Sequence, residues 1–498
     1  MLENGECYEF RDPIHGMICV NELERELINS SAFQRLRNIR QLATTNTVYH
    51  GAEHTRFGHS LGVMHIAGMA LEILKEKEPL KSKITDENEY YRLKYMLRLA
   101  ALLHDIGHAP FSHAGEDLFP NVKDVDGSEG TGHEVYTRLI IDQKLSDIIN
   151  KFYDKTGVKT GDVLGLLKGN TRDNNYRFLY DIISGQLDAD KMDYLLRDSH
   201  YCGVNYGLYD LNKLLNSLCI CESQNGDWQL GILSNGIYSV EEFVYARYWM
   251  FLQVYFHKTR RIYDRYLIKF LETVYKKYPD NIDKYLELDD NDVLQAIKNR
   301  KDATNEIWAK NLYYRRHLSE AFISPSAQIN DDNELDRIAW TIDKFKEDFN
   351  YNEDADEFYV DQAYSSTARD LISIPHYISG EAEEEEESPS NKEIKLPAIP
   401  VKDKHTHEVK RIQDYSIPLR GISNKRINIL RVYSTKEKID DVKGYCNECF
   451  TKGYDTYRIE SEKTKQKLEE AEIQYKALQQ QVENANKAAE ARKSRYNR

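Results

Sequence analysis

"LRLAALLHDIGHAPFSHAGE", residues Leu97 to Glu116, opens as an apolar helix and closes on three histidines, an aspartate and a glutamate. Just upstream, "YRLKYMLRLAALLHDIG" spaces Leu93, Met96, Leu97, Ala100 and Leu103 by three or four residues, the stripe of a buried helix. His104 lies two helical turns beyond Leu97, so it points the way the stripe points. Asp105 is its neighbour, and Gly107 then breaks the helix. An imidazole and a carboxylate placed where a buried helix turns can reach the same ion. Taken alone the pair is weak evidence, because a histidine on an apolar face is more often a core group with its hydrogen bonds satisfied.

Two more segments change that balance. "EHTRFGHSLGV" carries His54 and His59, and "GQLDADKMDYLLRD" carries Asp188, Asp190, Asp193 and Asp198. On a helix, Asp190, Tyr194, Arg197 and Asp198 fall on one face. Acids, an arginine and a tyrosine facing one way exceed what simple solvation requires. His133, in "TGHEVY", adds a further imidazole.

Around these segments the composition narrows the class. The 498 residues are 41% hydrophobic and 30% charged, which predicts a soluble, helix-rich protein. A formal net charge of −14 argues against a nucleic-acid coat protein, which needs a basic stripe. "MLENGECYEF" has no basic segment leading into an apolar run, and no stretch of eighteen apolar residues occurs, so neither signal peptide nor membrane span is expected. Seven scattered cysteines suit a reducing, cytoplasmic setting. Cys446 and Cys449 form one CxxC without a second, so structural zinc is not expected. No GxxxxGK[ST] occurs, which removes P-loop ATPases.

The expected fold is mostly α. A helical core spans 1–378, and "SGEAEEEEESPSNKE", 379–393, is an acidic linker or loop. A small α/β subdomain covers 394–455, with strands in "VKRIQDYSIPL" and "KRINILRVYS". A terminal helix, 456–498, repeats Leu468, Tyr475, Val482 and Ala489 every seven residues, as it does Ala471, Leu478 and Ala485, the pattern of a docking helix or a modest coiled coil. "WQLGILSNGIYSVEEFV" predicts a hairpin turning at Ser234-Asn235-Gly236, with Ser239 as a helix cap. Phe243 to Tyr275 is apolar nearly all round and reads as one long central helix pattern.

His59, His104-Asp105 and Asp190 match an H…HD…D signature. With "RDPIHG", "FQRLRNIRQL", "HTRFGHSLGV", "LLHDIGHAPFSH" and "DADKMDYLLRD" in that order, the chain resembles the HD-domain phosphohydrolases, and within them the deoxynucleoside triphosphate (dNTP) triphosphohydrolases, over roughly residues 8–440. The resemblance implies an HD-type helical core and a divalent metal (Mg, Mn, Fe, Ni or Zn) on His59, His104, Asp105 and Asp190. Two imidazoles and two carboxylates suit any of these. It further implies attack at the α-phosphorus, releasing a nucleoside and intact triphosphate. Arg56, Lys191, Tyr194 and Arg247 become phosphate contacts, Gln41 and Asp198 hold the 3′ hydroxyl, and Leu42 and Tyr255 crowd the 2′ edge. Phe256 departs from the glutamine expected there. His113 becomes the acid that protonates the leaving 5′ oxygen, with His108, Glu116 and His133 orienting water and tuning its pKa. Glu116 stands where the most similar branch has aspartate.

That branch also carries a sterile-alpha-motif domain, which is not expected here because "RDPIHG" begins at residue 11. It implies a homo-oligomer, dimer or tetramer, and an activating nucleotide near Asn29, Gln34 and Arg37. Asn29 replaces a guanine-reading aspartate and Tyr8 a phosphate-binding lysine. A neutral amide has fewer acceptors and tyrosine no charge, so strict activation by GTP is not expected. Two other functions remain open: an HD phosphodiesterase or nuclease acting on nucleic-acid ends or cyclic nucleotides, and a non-catalytic nucleotide sensor. Net acidity and the 3′-hydroxyl contacts weigh against a polymeric substrate. The intact metal set weighs against a dead site.

Overall fold

A computed structural model describes residues 7–170, 176–222, 227–324, 332–365, 399–422 and 427–460, with short pieces of the tail to 479. Helices dominate the described residues, as expected. They fall into two compact units, 1–317 with 363–427, and 318–362 with 428–498. The second unit draws on both sides of the acidic stretch because of its sheet. Strand Ile427–Ser434 lies between Ser319–Ile323 and Phe358–Ser365. Phe322, Ile338, Phe345, Leu430, Val432 and Cys446 form the core over it. Compactness thus divides the chain differently from composition. The acidic segment 379–393 lies outside the described residues.

In the first unit, helix Glu87–Leu103 begins at Asp86, whose carboxylate accepts the Asn88 N–H. Its stripe is buried as predicted, with Leu93, Leu97, Ala100 and Leu103 fully inside. Each such leucine contributes roughly 1.5–3 kcal/mol. It packs against helix Arg56–Lys75, which in turn packs against helix Ala189–Cys202. Helix Arg56–Lys75 is long and apolar enough to cross a membrane by length and composition, but most of it is buried inside the protein. Two glycines permit the close packing. A Cβ on Gly62 would strike Asp193 and Arg197, and one on Gly107 would strike the backbone of His133 and Thr137.

Several local expectations need correction. Strands Leu218–Glu222 and Trp228–Leu233 pair antiparallel, so the hairpin is made by these two strands and does not turn at Ser234-Asn235-Gly236. Ser234–Gly236 instead forms a single 3₁₀ turn leading into helix Ile237–Met250, with Ser239 inside that helix rather than capping it. The long apolar pattern runs through helix Ile237–Met250, continued by a π-helical turn at Phe251–Tyr255, and a second helix, Lys258–Tyr275. They part at His257, whose ring accepts the Thr259 N–H and restarts the second. In "VKRIQDYSIPL" only Val409–Arg411 is a strand. Asp414 accepts the Arg411 N–H and turns the chain into short helices instead. "KRINILRVYS" does supply a strand. Strands Pro400–Lys402 and Val409–Arg411 extend the Trp228–Leu233 sheet of the first unit. In the tail, Tyr475 and Leu478 are exposed. Leu468, Ala471, Val482, Ala485 and Ala489 lie outside the described residues.

Candidate metal and nucleotide site

Three helices converge on the predicted ligands. His59 stands on Arg56–Lys75, His104 and Asp105 at the end of Glu87–Leu103, and Asp190 in the first turn of Ala189–Cys202, started by Asp188 accepting the Lys191 N–H. His59 Nε2 lies 3.0 Å from Asp190 Oδ1 and 3.5 Å from Asp105 Oδ2. His104 Nε2 lies 3.3 Å from Asp105 Oδ1 and 3.8 Å from Asp190 Oδ1. His104 Nδ1 faces the Ala101 carbonyl at 2.8 Å and His59 Nδ1 faces Asp193 Oδ2 at 2.8 Å. Both rings therefore donate through Nδ1, leaving the Nε2 lone pairs aimed at the acids. Both Nε2 atoms are buried and lack a hydrogen-bond partner in the protein. Burial opposes protonation of His59, but Asp190 and Asp193 outweigh it and push its pKa up to about 10. The surplus of negative charge around the two inward-facing Nε2 atoms calls for positive charge there, met by protons on the rings or by a divalent cation in their place, and a divalent cation fits.

A second layer fixes this set. Asp193 also accepts from Arg197 at 2.8 and 2.9 Å and faces His15 Nε2 at 2.7 Å. Arg197 Nη1 continues to Asp12 at 2.8 Å. Arg197 thus turns with Asp193 toward the hairpin Tyr8–Asp12/Gly16–Val20, not with Asp190 as the single-face reading expected. "RDPIHG" was visible as a motif, but nothing local in it signalled a long-range role for His15.

The other four predicted groups also cluster. His133 Nδ1 faces Glu116 Oε1 at 2.8 Å, and its own backbone N–H donates to the same oxygen at 3.0 Å. His108 stacks on His133 with ring centres 3.9 Å apart, and His113 meets His108 edge-on at 4.8 Å. Burial lowers His133, but the Glu116 bond outweighs it and the net shift is upward. Burial also drives His108 well down, helped by Arg56 and His133. His113 is held low first by desolvation, then by Arg56 and His133. Because 48% of its side chain is exposed, water reaches that ring, and repulsion by the two cations is the part that persists.

The expected phosphate contacts divide. Arg56 reaches Asp105 through Nη1 and donates to Ser112 Oγ at 2.7 Å, so it anchors a metal-set carboxylate. Lys191 is fully buried, tied to Asp188 and to the Gly185 carbonyl at 3.0 Å. Arg247 is 4% exposed, and its Nε and Nη1 are buried without a partner. Tyr194 lies beside Tyr255, ring centres 6.2 Å apart. Among the residues expected on the sugar, Asp198 faces His54 Nε2 at 2.8 Å and accepts from the Tyr255 hydroxyl at 2.7 Å. Leu42, Gln41 and Tyr255 are buried, and Gln41 Oε1 has no partner. Tyr255, expected only to crowd the sugar, thus also hydrogen-bonds to Asp198. His54 was noted in the sequence without a role, and sequence proximity to His59 alone could not assign one.

Near the helix Glu22–Asn29, Gln34 Oε1 accepts from Arg37 Nε at 2.8 Å, and Asn29 is exposed. The Arg37 guanidinium covers Phe57 at 3.6 Å, and Arg25 covers Tyr8 at 4.1 Å.

The chain matches the family model "HD domain" over residues 56–198 and "HD associated region" over 209–361. An uncharacterized Bacillus subtilis protein, YwfO, is 28% identical over 466 residues, covering 88% of this chain and 95% of that one. The Dictyostelium discoideum protein named deoxynucleoside triphosphate triphosphohydrolase SAMHD1 homolog is 31% identical over 353 residues, covering 68% of this chain and 63% of that one. A crystal structure of a hypothetical protein from Aquifex aeolicus is similar with a TM-score of 0.66 at 26% identity, covering 88% of this chain and all of that one.

Proposed function

Because the chain belongs to the HD-domain family, a family of metal-dependent phosphohydrolases, we propose that it hydrolyses dNTPs to the deoxynucleoside and inorganic triphosphate. The observation that carries the reading is the set of buried, unpartnered polar atoms on predicted site residues. These are Nε2 of His59 and His104 for a metal, Nε and Nη1 of Arg247 for an anion, and Oε1 of Gln41 for a hydroxyl. His59, His104, Asp105 and Asp190 would hold the divalent ion, whether Mg, Mn, Fe, Ni or Zn. The ion would supply polarisation of a phosphoryl oxygen and a water of lowered pKa.

The remaining work falls to the chain's own groups. Arg247 grips the triphosphate, since two buried guanidinium nitrogens without hydrogen-bond partners are costly until an anion arrives. Tyr194 flanks it. Arg56 and Lys191 add positive field from behind, each already tied to a carboxylate. His113, the exposed member of its cluster and neutral at rest, takes up the proton held by the neighbouring His133–Glu116 pair and passes it to the leaving 5′ oxygen. Glu116 lies between it and His133, with His108 stacked behind. Gln41 and Asp198 receive the 3′ hydroxyl, and Leu42 with Tyr255 crowds the 2′ edge, leaving no room for a 2′ hydroxyl. The chain works as a homo-oligomer that does not strictly require GTP: its activity is constitutive or answers to another nucleotide, such as a dNTP, bound by Asn29, Gln34 and Arg37.

Incubation of the purified chain with dNTPs, NTPs, cyclic nucleotides and single-stranded DNA, each with the five metals, tests this. Triphosphate release from dNTPs is expected, at least about tenfold faster than from NTPs. Equal rates for ATP and dATP would contradict the sugar pocket. Cleavage of DNA without triphosphate release from dNTPs would replace the reading with a nuclease.

A further inference from the structure

The segment from Tyr285 to Asp290, within the HD-associated region, closes on the backbone that follows the HD pair. The Tyr285 hydroxyl donates to the Gly107 carbonyl at 2.7 Å. Arg35 donates through Nε to the Leu288 carbonyl at 2.7 Å and through Nη1 to the His108 carbonyl at 2.9 Å. Asp290 then takes two backbone donors at once, Phe111 N–H on Oδ1 at 2.7 Å and Arg40 N–H on Oδ2 at 3.0 Å. Its carboxylate thereby ties the Arg40–Leu42 segment, which carries the sugar-pocket candidates, to the loop that carries His113. The Ser112 hydroxyl adds a second tie, donating to the Arg40 carbonyl at 2.6 Å.

That loop needs holding. Phe111 and Ser112 both have φ of 58°, two consecutive non-glycine residues in the left-handed region. Such a pair persists only where its surroundings over-determine it. Helix Asp290–Arg300 does not itself require the Asp290 carboxylate. Asp289 caps the helix, accepting the Asn291 N–H at 2.7 Å, while Asp292 accepts the Asp289 N–H at 2.9 Å. Asp290 is 4% exposed, and burial pushes its pKa up to about 6, against which the Arg40 and Phe111 N–H bonds act. A buried carboxylate that is dispensable for its own helix, and satisfied by two distant backbone segments, has a purpose elsewhere.

We propose that Asp290 is a positioning residue that locks the left-handed Phe111–Ser112 turn and registers His113 against the Gln41–Leu42 segment. This rests on the reading of His113 as the proton donor. Asp290→Asn and Asp290→Ala, in the full chain loaded with metal, test it by backbone hydrogen exchange over 109–114, metal content, thermal midpoint, kcat and KM. Asparagine keeps one acceptor and presents an amide that cannot accept from the second N–H, so one tie is lost. Exchange at 111–113 should rise about tenfold or more, and kcat should fall about ten- to a hundredfold while KM changes less. Metal content and thermal midpoint should hold in the Asn variant. Wild-type exchange and wild-type kcat in Asp290→Asn would overturn the proposal, as would a lowered thermal midpoint with kcat intact, which marks a structural role. If the wild-type chain releases no triphosphate, the functional reading fails, and the exchange data still decide the clamp. Should Asp290→Ala not fold, Asp290→Asn carries the test.

Discussion

His59 and His104 on the one hand, and His108 and His113 on the other, are the same side chain in opposite fields, with Asp105 in contact with three of the four. Carboxylates surround the first pair and override burial, so its charged state is favoured. Arg56 and His133 reinforce burial around the second pair, so its neutral state is favoured. The first environment demands a cation. The second keeps neutral rings available for proton traffic, next to a His133–Glu116 pair that holds charge. Residue type therefore does not assign a role here. The charges within a few ångströms do.

The largest expected effect comes from setting the two groups against each other by mutation. His59→Ala and Asp105→Ala should abolish turnover and bound metal together, because each removes a proposed ligand. The folded state should survive, since the Glu87–Leu103 stripe is buried independently of any ion. His113→Ala should retain the metal and lose about 10²–10⁴ in kcat. Metal analysis and initial rates on the three proteins check this. Full turnover with metal retained in His59→Ala, or metal loss in His113→Ala, would collapse the distinction between the two groups.

A smaller effect extends the contrast to the two buried cations. Arg247→Ala should lower kcat/KM for dNTPs by about ten- to a hundredfold with little change in thermal midpoint, because its guanidinium has two nitrogens without protein partners. Lys191→Ala leaves Asp188 buried without its partner, which costs about 3–5 kcal/mol. It should therefore lower the thermal midpoint first. Thermal melts beside steady-state kinetics separate the two. Arg247→Ala melting earlier than Lys191→Ala would reverse the assignment.

Much of the site was legible because it is local or helical. The stripe through Leu93, Leu97 and Leu103 set the direction of His104, and the breaker at Gly107 marked where His104 and Asp105 leave the helix. His108, His113, Glu116 and His133 also fall together as their motif strings implied. What could not be read was who neutralises whom. Arg56 and Lys191 looked like phosphate contacts, yet Asp105 and Asp188 lie within their reach. His15 to Asp193 and Asp290 to Phe111 are joined across 178 and 179 residues, and neither contact leaves a local pattern. The broken helix at His257 and the misplaced hairpin turn have the same origin. Apolar runs and turn residues set propensity, and tertiary hydrogen bonds decide the boundary.

The most direct test of the account is dNTP hydrolysis in ¹⁸O-labelled water, with mass analysis of both products. Water attacking the α-phosphorus breaks the bond to the 5′ oxygen, so one ¹⁸O should enter the triphosphate and none the deoxynucleoside. Label in the deoxynucleoside, or dNDP and orthophosphate in place of triphosphate, would contradict it.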